Sequence, residues 1–334
     1  MNMSPYLLDI KQEASKYLPV RLKNTNLAKK NLEMSSNLNE HGLTVEKDKD
    51  CYVISINKNL HKPLNLKYLV SNILAHEILE IKYHVIIKEN CQADIVEYLD
   101  KNNYDFSAKI ESNYTLKENS TINHYIINQS SKNNYYSYIN NCFLEKNALK
   151  NTFDMNFAQS STYSLINHEL NDNKATTNYY ALDCIGHEAQ NHRVLNIIHN
   201  THNTSSTQLI KAAYANKSIG NFFGGVSIPK LIKNCSALQS YKSILLSQDA
   251  KAFVRPQMQI HNNEIVAKHG ASIGELDQEA LFYLQSRNLS LNEAKSLLLH
   301  AVLQEIINNI NNTELKVQME DVLSYSLRSI LHDI

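Results

Sequence analysis

The sequence predicts a mainly β fold, a parallel β-solenoid with a small N-terminal helical segment and a C-terminal helical domain. Three observations carry this. From Cys51 to Ile273 the chain is a succession of short runs with period-two alternation, most ending at Asn, Asp, Gly or Ser, as strands with one shared face do. An aliphatic-x-x-Asn motif recurs through the same stretch at near-regular intervals. After Asp277 the period becomes helical, behind good N-cap residues.

Residues 1–48 are lysine-rich and weakly patterned, with a short helix predicted over Tyr6–Tyr17 that puts Leu7, Ile10 and Ala14 on one side. Residues 49–274 form the predicted β core, in which Tyr52–Ile56, Tyr83–Ile87 and Val194–Ile198 read as strands. Asn65 to Ile81 reads instead as a helix or a mixed insertion. The repeated pairs are Ile56/Asn59, Ile87/Asn90, Leu116/Asn119, Leu144/Asn147, Leu170/Asn173, Ile197/Asn200, Leu231/Asn234 and Ile260/Asn263, at steps of 26 to 34 residues. The motif itself has no weight in a chain so rich in Asn, Ile and Leu, but its spacing fits one solenoid coil. The aliphatics would then form an internal ladder, and the asparagines would hold left-handed corners. The same spacing also fits an irregular β-sandwich.

Residues 275–334 are predicted helical. Asp277 caps a first helix, and Ser290 with Glu293 forms a capping box for a second with Ala294, Leu297, Leu298 and Ala301 on one face. Thr313 caps a third, whose apolar face is Leu315, Met319, Val322, Leu323, Leu327 and Ile330. Such a bundle can cover one end of a solenoid and blunt its strand edges, or serve as a docking surface.

Composition excludes several functions. Among 334 residues, 33 Lys and Arg balance 33 Asp and Glu, so no field draws in polyanions, which argues against sequence-independent nucleic-acid binding. The first residues, MNMSPYLLDIKQEASKYLP, lack the pattern of a signal peptide. The stretch Tyr68–Ile81 is too short and too polar to span a bilayer. Five cysteines, at 51, 91, 142, 184 and 235, are scattered and never spaced as CxxC. A reducing compartment, the cytosol, is the expected address.

Chemistry-bearing candidates are few. His187, His192, His199 and His202 cluster in sequence, yet match no metal-ligand spacing and read as core or surface residues. Cys235 follows Lys233-Asn234; a thiolate there would ligate iron or accept sulfur, whereas a free cysteine is more often a small buried apolar group. His269 lies in Lys268-His-Gly-Ala-Ser-Ile-Gly274, where Gly270 and Gly274 suggest a sharp, closely packed turn. The paired glycines of Asn221-Phe-Phe-Gly-Gly225 lack the residues of a phosphate cradle.

Several blocks in order resemble the SufB/SufD family of iron–sulfur assembly scaffolds. They are Thr204–Lys211, Phe222–Gly225, Ser236–Ser247, Arg255–Ile260, Lys268–Asp277 and Gln278–Arg287. The run from the HGA segment through LDQEALFYLQSR is the most specific. The resemblance implies a right-handed parallel β-helix with helical flanks. It implies a SufD-type, non-catalytic scaffold subunit that pairs with SufB, holds a SufC ATPase through its C-terminal helices, and builds a transient cluster at the SufB–SufD interface. No cofactor is then expected to stay bound to this chain alone. It also gives His269 a role in ligating or supporting bound iron. The SufD branch is favoured by the HGA turn at His269 and because SufB-type chains carry a cysteine where this one has Ser240-Tyr-Lys-Ser243. The chain departs from the family in being short, in having Ala267 where a cysteine is often found, and in lacking a tryptophan-containing N-terminal motif, of which Leu18-Pro-Val-Arg21 reads as the remnant. The alternatives are a structural solenoid adaptor and a carbohydrate-active β-helix enzyme; the second is disfavoured by the absence of tryptophan platforms.

Overall fold

The computed structural model describes residues 27–29, 32–35, 42–68, 78–99, 107–130 and 134–332. The predicted Tyr6–Tyr17 helix and the Leu18–Arg21 segment lie outside these. Two sheets form from strands that alternate along the chain. Sheet 1 contains β1 (Leu27–Lys29), β3 (Leu43–Asp48), β4 (Cys51–Ile56), β6 (Ile78–Ile87), β8 (Ser107–Leu116), β10 (Tyr135–Leu144), β12 (Ser161–Leu170), β14 (Gln190–His199), β16 (Ile219–Ile228) and β18 (Lys251–Ile260). Sheet 2 contains β2 (Leu32–Ser35), β5 (Leu64–Tyr68), β7 (Gln92–Leu99), β9 (Thr121–Asn128), β11 (Leu149–Asn156), β13 (Thr176–Ile185), β15 (Ser205–Tyr214), β17 (Cys235–Leu245) and β19 (Ile265–Gly274). Among the strands β4 to β19 every pair of neighbours within a sheet is parallel, so the chain climbs a β-solenoid through seven turns from β4 to β18. The helix or insertion expected over Asn65–Ile81 is corrected at both ends, which are the strand residues of β5 and β6.

The aliphatic ladder is real, with two slips. Strand register stacks Ile56, Ile87, Leu116, Leu144 and Leu170 on one inward column. The next occupant is His199, not Ile197, and the ladder resumes at Ile228 and Ile260 rather than Leu231. The corners follow the expectation in half of the coils. Asn90, Asn119, Asn147 and Asn234 have φ of 54 to 59°, but Lys174 and Asn203 occupy the corners assigned to Asn173 and Asn200, and Asn59 and Asn263 do not take up the left-handed region.

Asparagine abundance has a further cause. On the outer face of sheet 1, Asn113, Asn141, Asn167 and Asn196 form a ladder, each Nδ2 donating to the Oδ1 one coil earlier at 2.9–3.0 Å. Asn123, Asn151 and Asn178 repeat the device on sheet 2 at 2.9 Å. Identical amides satisfy each other only when stacked in register, so these columns resist slippage.

Three helices follow: α1 (Gln278–Ser286), α2 (Leu291–Ile307) and α3 (Thr313–His332). Asp277 and the Ser290/Glu293 box cap the first two as the sequence predicts. For α3 the cap is Asn312 rather than Thr313: its Oδ1 accepts from Leu315 N at 3.1 Å, and its Nδ2 donates to Asp94 at 3.1 Å. The buried face of α2 is Ala294, Leu299, Leu303, Ile306 and Ile307, leaving Leu297 exposed. Leu297 to Leu299 permit either face, and the longer aliphatics downstream decide which one packs. The helices do not cover an end of the solenoid. They lie on the outer face of sheet 2, against Tyr125, Phe153, Leu182 and Ile244, with Lys211 Nζ 2.7 Å from Glu305. Each fully buried Leu or Ile in this contact contributes about 1.5–3 kcal/mol. No described helix is long and apolar enough to cross a membrane.

Candidate functional site

Because the helices fold back over sheet 2, the last coil, β18 and β19, remains uncovered. Among the described residues neither strand has a partner on its outer edge. Phe253 and Val266 are 58% and 59% exposed, and Ile273 is exposed too. His269 stands exposed in the middle of β19. The expected sharp turn at Gly270 and Gly274 is corrected: both lie within the strand, and a Cβ at either meets nothing within 4 Å. Glycine is not required there for close packing.

Strand register gives His269 a more informative address. It is the Cα partner of Gln239 on β17, which pairs with Gln208 on β15. Continuing down the column are Tyr179, Thr152 and His124. On β17 the alternate residues Cys235, Ala237, Gln239, Tyr241 and Ser243 are buried, while Ile244, of the opposite parity, is buried on the outer face under the helices. Parity therefore places His269 on the lumen side of the last rung.

The lumen below is unusually polar. Glu97 Oε1 accepts from the hydroxyls of Tyr83, Tyr114 and Tyr138 and lies 2.6 Å from His124 Nε2. Burial holds the His124 imidazole below its ordinary range despite this carboxylate. Lys150 donates to Asn140 Oδ1 at 2.9 Å and sits over the Tyr114 ring; burial pulls its pKa down and pushes the Cys142 thiol up to about 11. One coil on, Arg193 donates to both Asp154 and Asp183 at 2.9–3.1 Å. Nothing in the sequence singled these residues out. The only signal was polarity at inward positions of the alternation, and their partners are fixed by stacking.

The other candidates disperse. Cys235 opens β17, buried, its Sγ 3.2 Å from Thr204 Oγ1 and donating to the carbonyls of Thr201 and Lys233. It is the partner of Ile265, four residues before His269, so the two columns stand roughly 13 Å apart along the strand. His199 faces the lumen, 2.7 Å from Thr204 Oγ1 and 2.9 Å from Ser206 Oγ, and burial lowers its pKa to about 4. His192 lies on the outer side, where it and His187 line a groove of about 790 Å³ with Tyr135 and Tyr163. His202 Nδ1 accepts from Lys233 N. No group of three or more metal-ligating side chains gathers among the described residues.

The fold is a parallel β-solenoid with an open coil at one end and a layer of helices on one side. Residues 74–302 match the family described as SUF system FeS cluster assembly, SufBD core domain. The chain belongs to this family. It is 24% identical over 301 residues to an iron–sulfur cluster assembly SufBD family protein of Synechocystis, covering 87% of this chain and 66% of that one. To the assembly protein SufD of Escherichia coli it is 26% identical over 121 residues, 36% of this chain and 29% of that one. To Protein ABCI7, chloroplastic, of Arabidopsis thaliana it is 31% identical over 115 residues, 34% and 24% of the two. The chain thus spans less than two thirds of the length of each of these three relatives.

Proposed function

We propose that this chain is a non-catalytic, SufD-type scaffold subunit that works in the cytosol. Its terminal coil pairs with a SufB-type chain, and a transient iron–sulfur cluster is built at the junction as cargo. His269 is the donor it offers to that cluster, through a neutral imidazole nitrogen. Cys235, buried among apolar side chains, keeps a structural role in this reading. The 275–334 helices hold a SufC-type ATPase, for which the mostly apolar groove of about 570 Å³ lined by Leu289, Leu297, His300, Arg328 and Leu331 is the favoured seat. Within the segment 1–48, the strands β1, β2 and β3 join the two sheets of the 49–274 core.

The observation that carries the reading is the uncovered last coil, with ten-residue edge strands on both sheets and apolar side chains left in solvent. Such edges favour pairing with another chain.

The test is anaerobic co-expression with SufB-type and SufC-type partners, followed by absorption spectra and pull-downs. His269→Ala is expected to remove most of the cluster absorbance while leaving the complex assembled. Leu297→Glu is expected to release the ATPase alone. Undiminished cluster content in His269→Ala sinks the donor assignment. Point substitution is preferable to deleting the helices, because deletion would strip the cover from Tyr125, Phe153 and Leu182.

A further inference from the structure

A buried amide below His269 has a free end. Gln239 is 3% exposed, and its Oε1 has no hydrogen-bond partner among the described residues. Its orientation is set from beneath. Gln208 Nε2 donates to the carbonyl of Gly225 at 3.3 Å, which turns Gln208 Oε1 upward to accept from Gln239 Nε2 at 2.6 Å. With its NH₂ committed downward, Gln239 presents an acceptor at the other end. Space is kept for this arrangement: a Cβ at Gly224 would stand 2.1 Å from Gln239 Nε2. A buried acceptor left unmade is destabilising, so a partner on the next rung gains by meeting it. The residue on that rung, in register, is His269.

We propose that Gln239 is the positioning residue of His269. Its Oε1 accepts the N–H of one imidazole nitrogen, locks the ring in one neutral tautomer, and so turns the other nitrogen's lone pair out of the solenoid's mouth. Adjacent rungs stand roughly 4.8 Å apart, within reach of both side chains. A ligating histidine commonly has its second nitrogen held this way by an oxygen acceptor, and losing that acceptor costs on the order of 10–100-fold in metal affinity. Gln208 and the Gly225 carbonyl fix the direction of the hydrogen bonds up to Gln239; the bond from His269 to Gln239 Oε1, which is not made in this structure, is the step the proposal adds. This inference rests on His269 being the donor at the terminal coil.

The experiment reads the tautomer directly. In the full chain labelled with ¹⁵N-histidine, at a pH near 8 where an ordinary imidazole is neutral, two-bond ¹H–¹⁵N spectra report which His269 nitrogen carries the proton. His269→Ala assigns the signal. Wild type is expected to show one tautomer, Gln239→Met a mixture, and Gln239→Glu, which keeps an acceptor, one tautomer again. A mixture in wild type, or an unchanged single tautomer in Gln239→Met, overturns the proposal. Cluster retention in the co-expressed complex is expected to fall on the order of tenfold in Gln239→Met and to recover in Gln239→Glu. If His269→Ala retains full cluster content, the donor reading fails, and the tautomer spectra still decide the hydrogen bond by themselves.

Discussion

The two ends of the solenoid finish differently. At the first, β3 turns back and pairs antiparallel with β4, and β2 pairs antiparallel with β5. The edge this leaves on sheet 1 is Leu43–Asp48, six residues of sequence LTVEKD that are mostly exposed and end in charge. Short, charged, reversed strands are the usual means of stopping a sheet from recruiting another. At the other end, β18 and β19 are ten residues each and parallel to their neighbours, with Phe253, Val266 and Ile273 in solvent. The helices that could have covered this end lie on the side of sheet 2 instead. One end is built to stop pairing and the other to allow it. In between, polar rungs interrupt the apolar filling of the lumen.

Breaking those rungs should cost the most. Arg193 holds Asp154 and Asp183, all three largely out of solvent. Arg193→Leu leaves two carboxylates without their cation, and about 3–5 kcal/mol of stability should be lost. Urea unfolding at unchanged m-value measures it. A loss below about 1 kcal/mol would mean that water reaches the lumen and the rungs are not a sealed core.

Acid should unsettle the lumen. Burial lowers the His199 pKa to about 4 and holds His168 well below its ordinary range. Between an unfolded value of about 6.5 and a folded value near 4, the unfolded chain binds more protons. The stability contributed by the neutral rings is therefore complete above about pH 6.5 and is lost as pH falls toward 4. His199 alone accounts for about 3 kcal/mol by pH 4. Urea midpoints at pH 7 and pH 4.5 should show His199→Gln losing about 2–3 kcal/mol less on acidification than wild type. Equal acid losses for the two proteins would mean that His199 is not held neutral by burial.

What the sequence made legible follows from the same contrast. Ile56 through Leu170 could be found by spacing because each coil places an aliphatic at the same inward position. The reading slipped at His199 and at Ile228, where the occupant is polar or the connection to the next coil, residues 229–234, is longer. The α3 face was readable from its periodicity, whereas the α2 face needed sheet 2 to choose among adjacent leucines. Of the site, His269 stood out only through family resemblance, since an exposed histidine on a strand has no local signature. The lumen pairs were hidden for a different reason. Arg193 and Asp154 lie 39 residues apart, and only stacking in register makes them neighbours. Gln239 was equally silent until β19 placed His269 above it.

The smallest expected effect on stability is the one that defines the open end. Phe253, Val266 and Ile273 pack too little for their side chains to support the isolated fold, so the triple substitution to Ser should shift unfolding free energy by no more than about 0.5 kcal/mol per site. The same variant should lose most of its capture of a co-expressed SufB-type chain, because apolar side chains on an edge act only when a partner buries them. Urea unfolding and size-exclusion chromatography of the co-expressed pair measure the two effects separately. A variant that still pairs would move the interface elsewhere. A variant that unfolds would mean the last coil belongs to the core, and the two ends would no longer differ in kind.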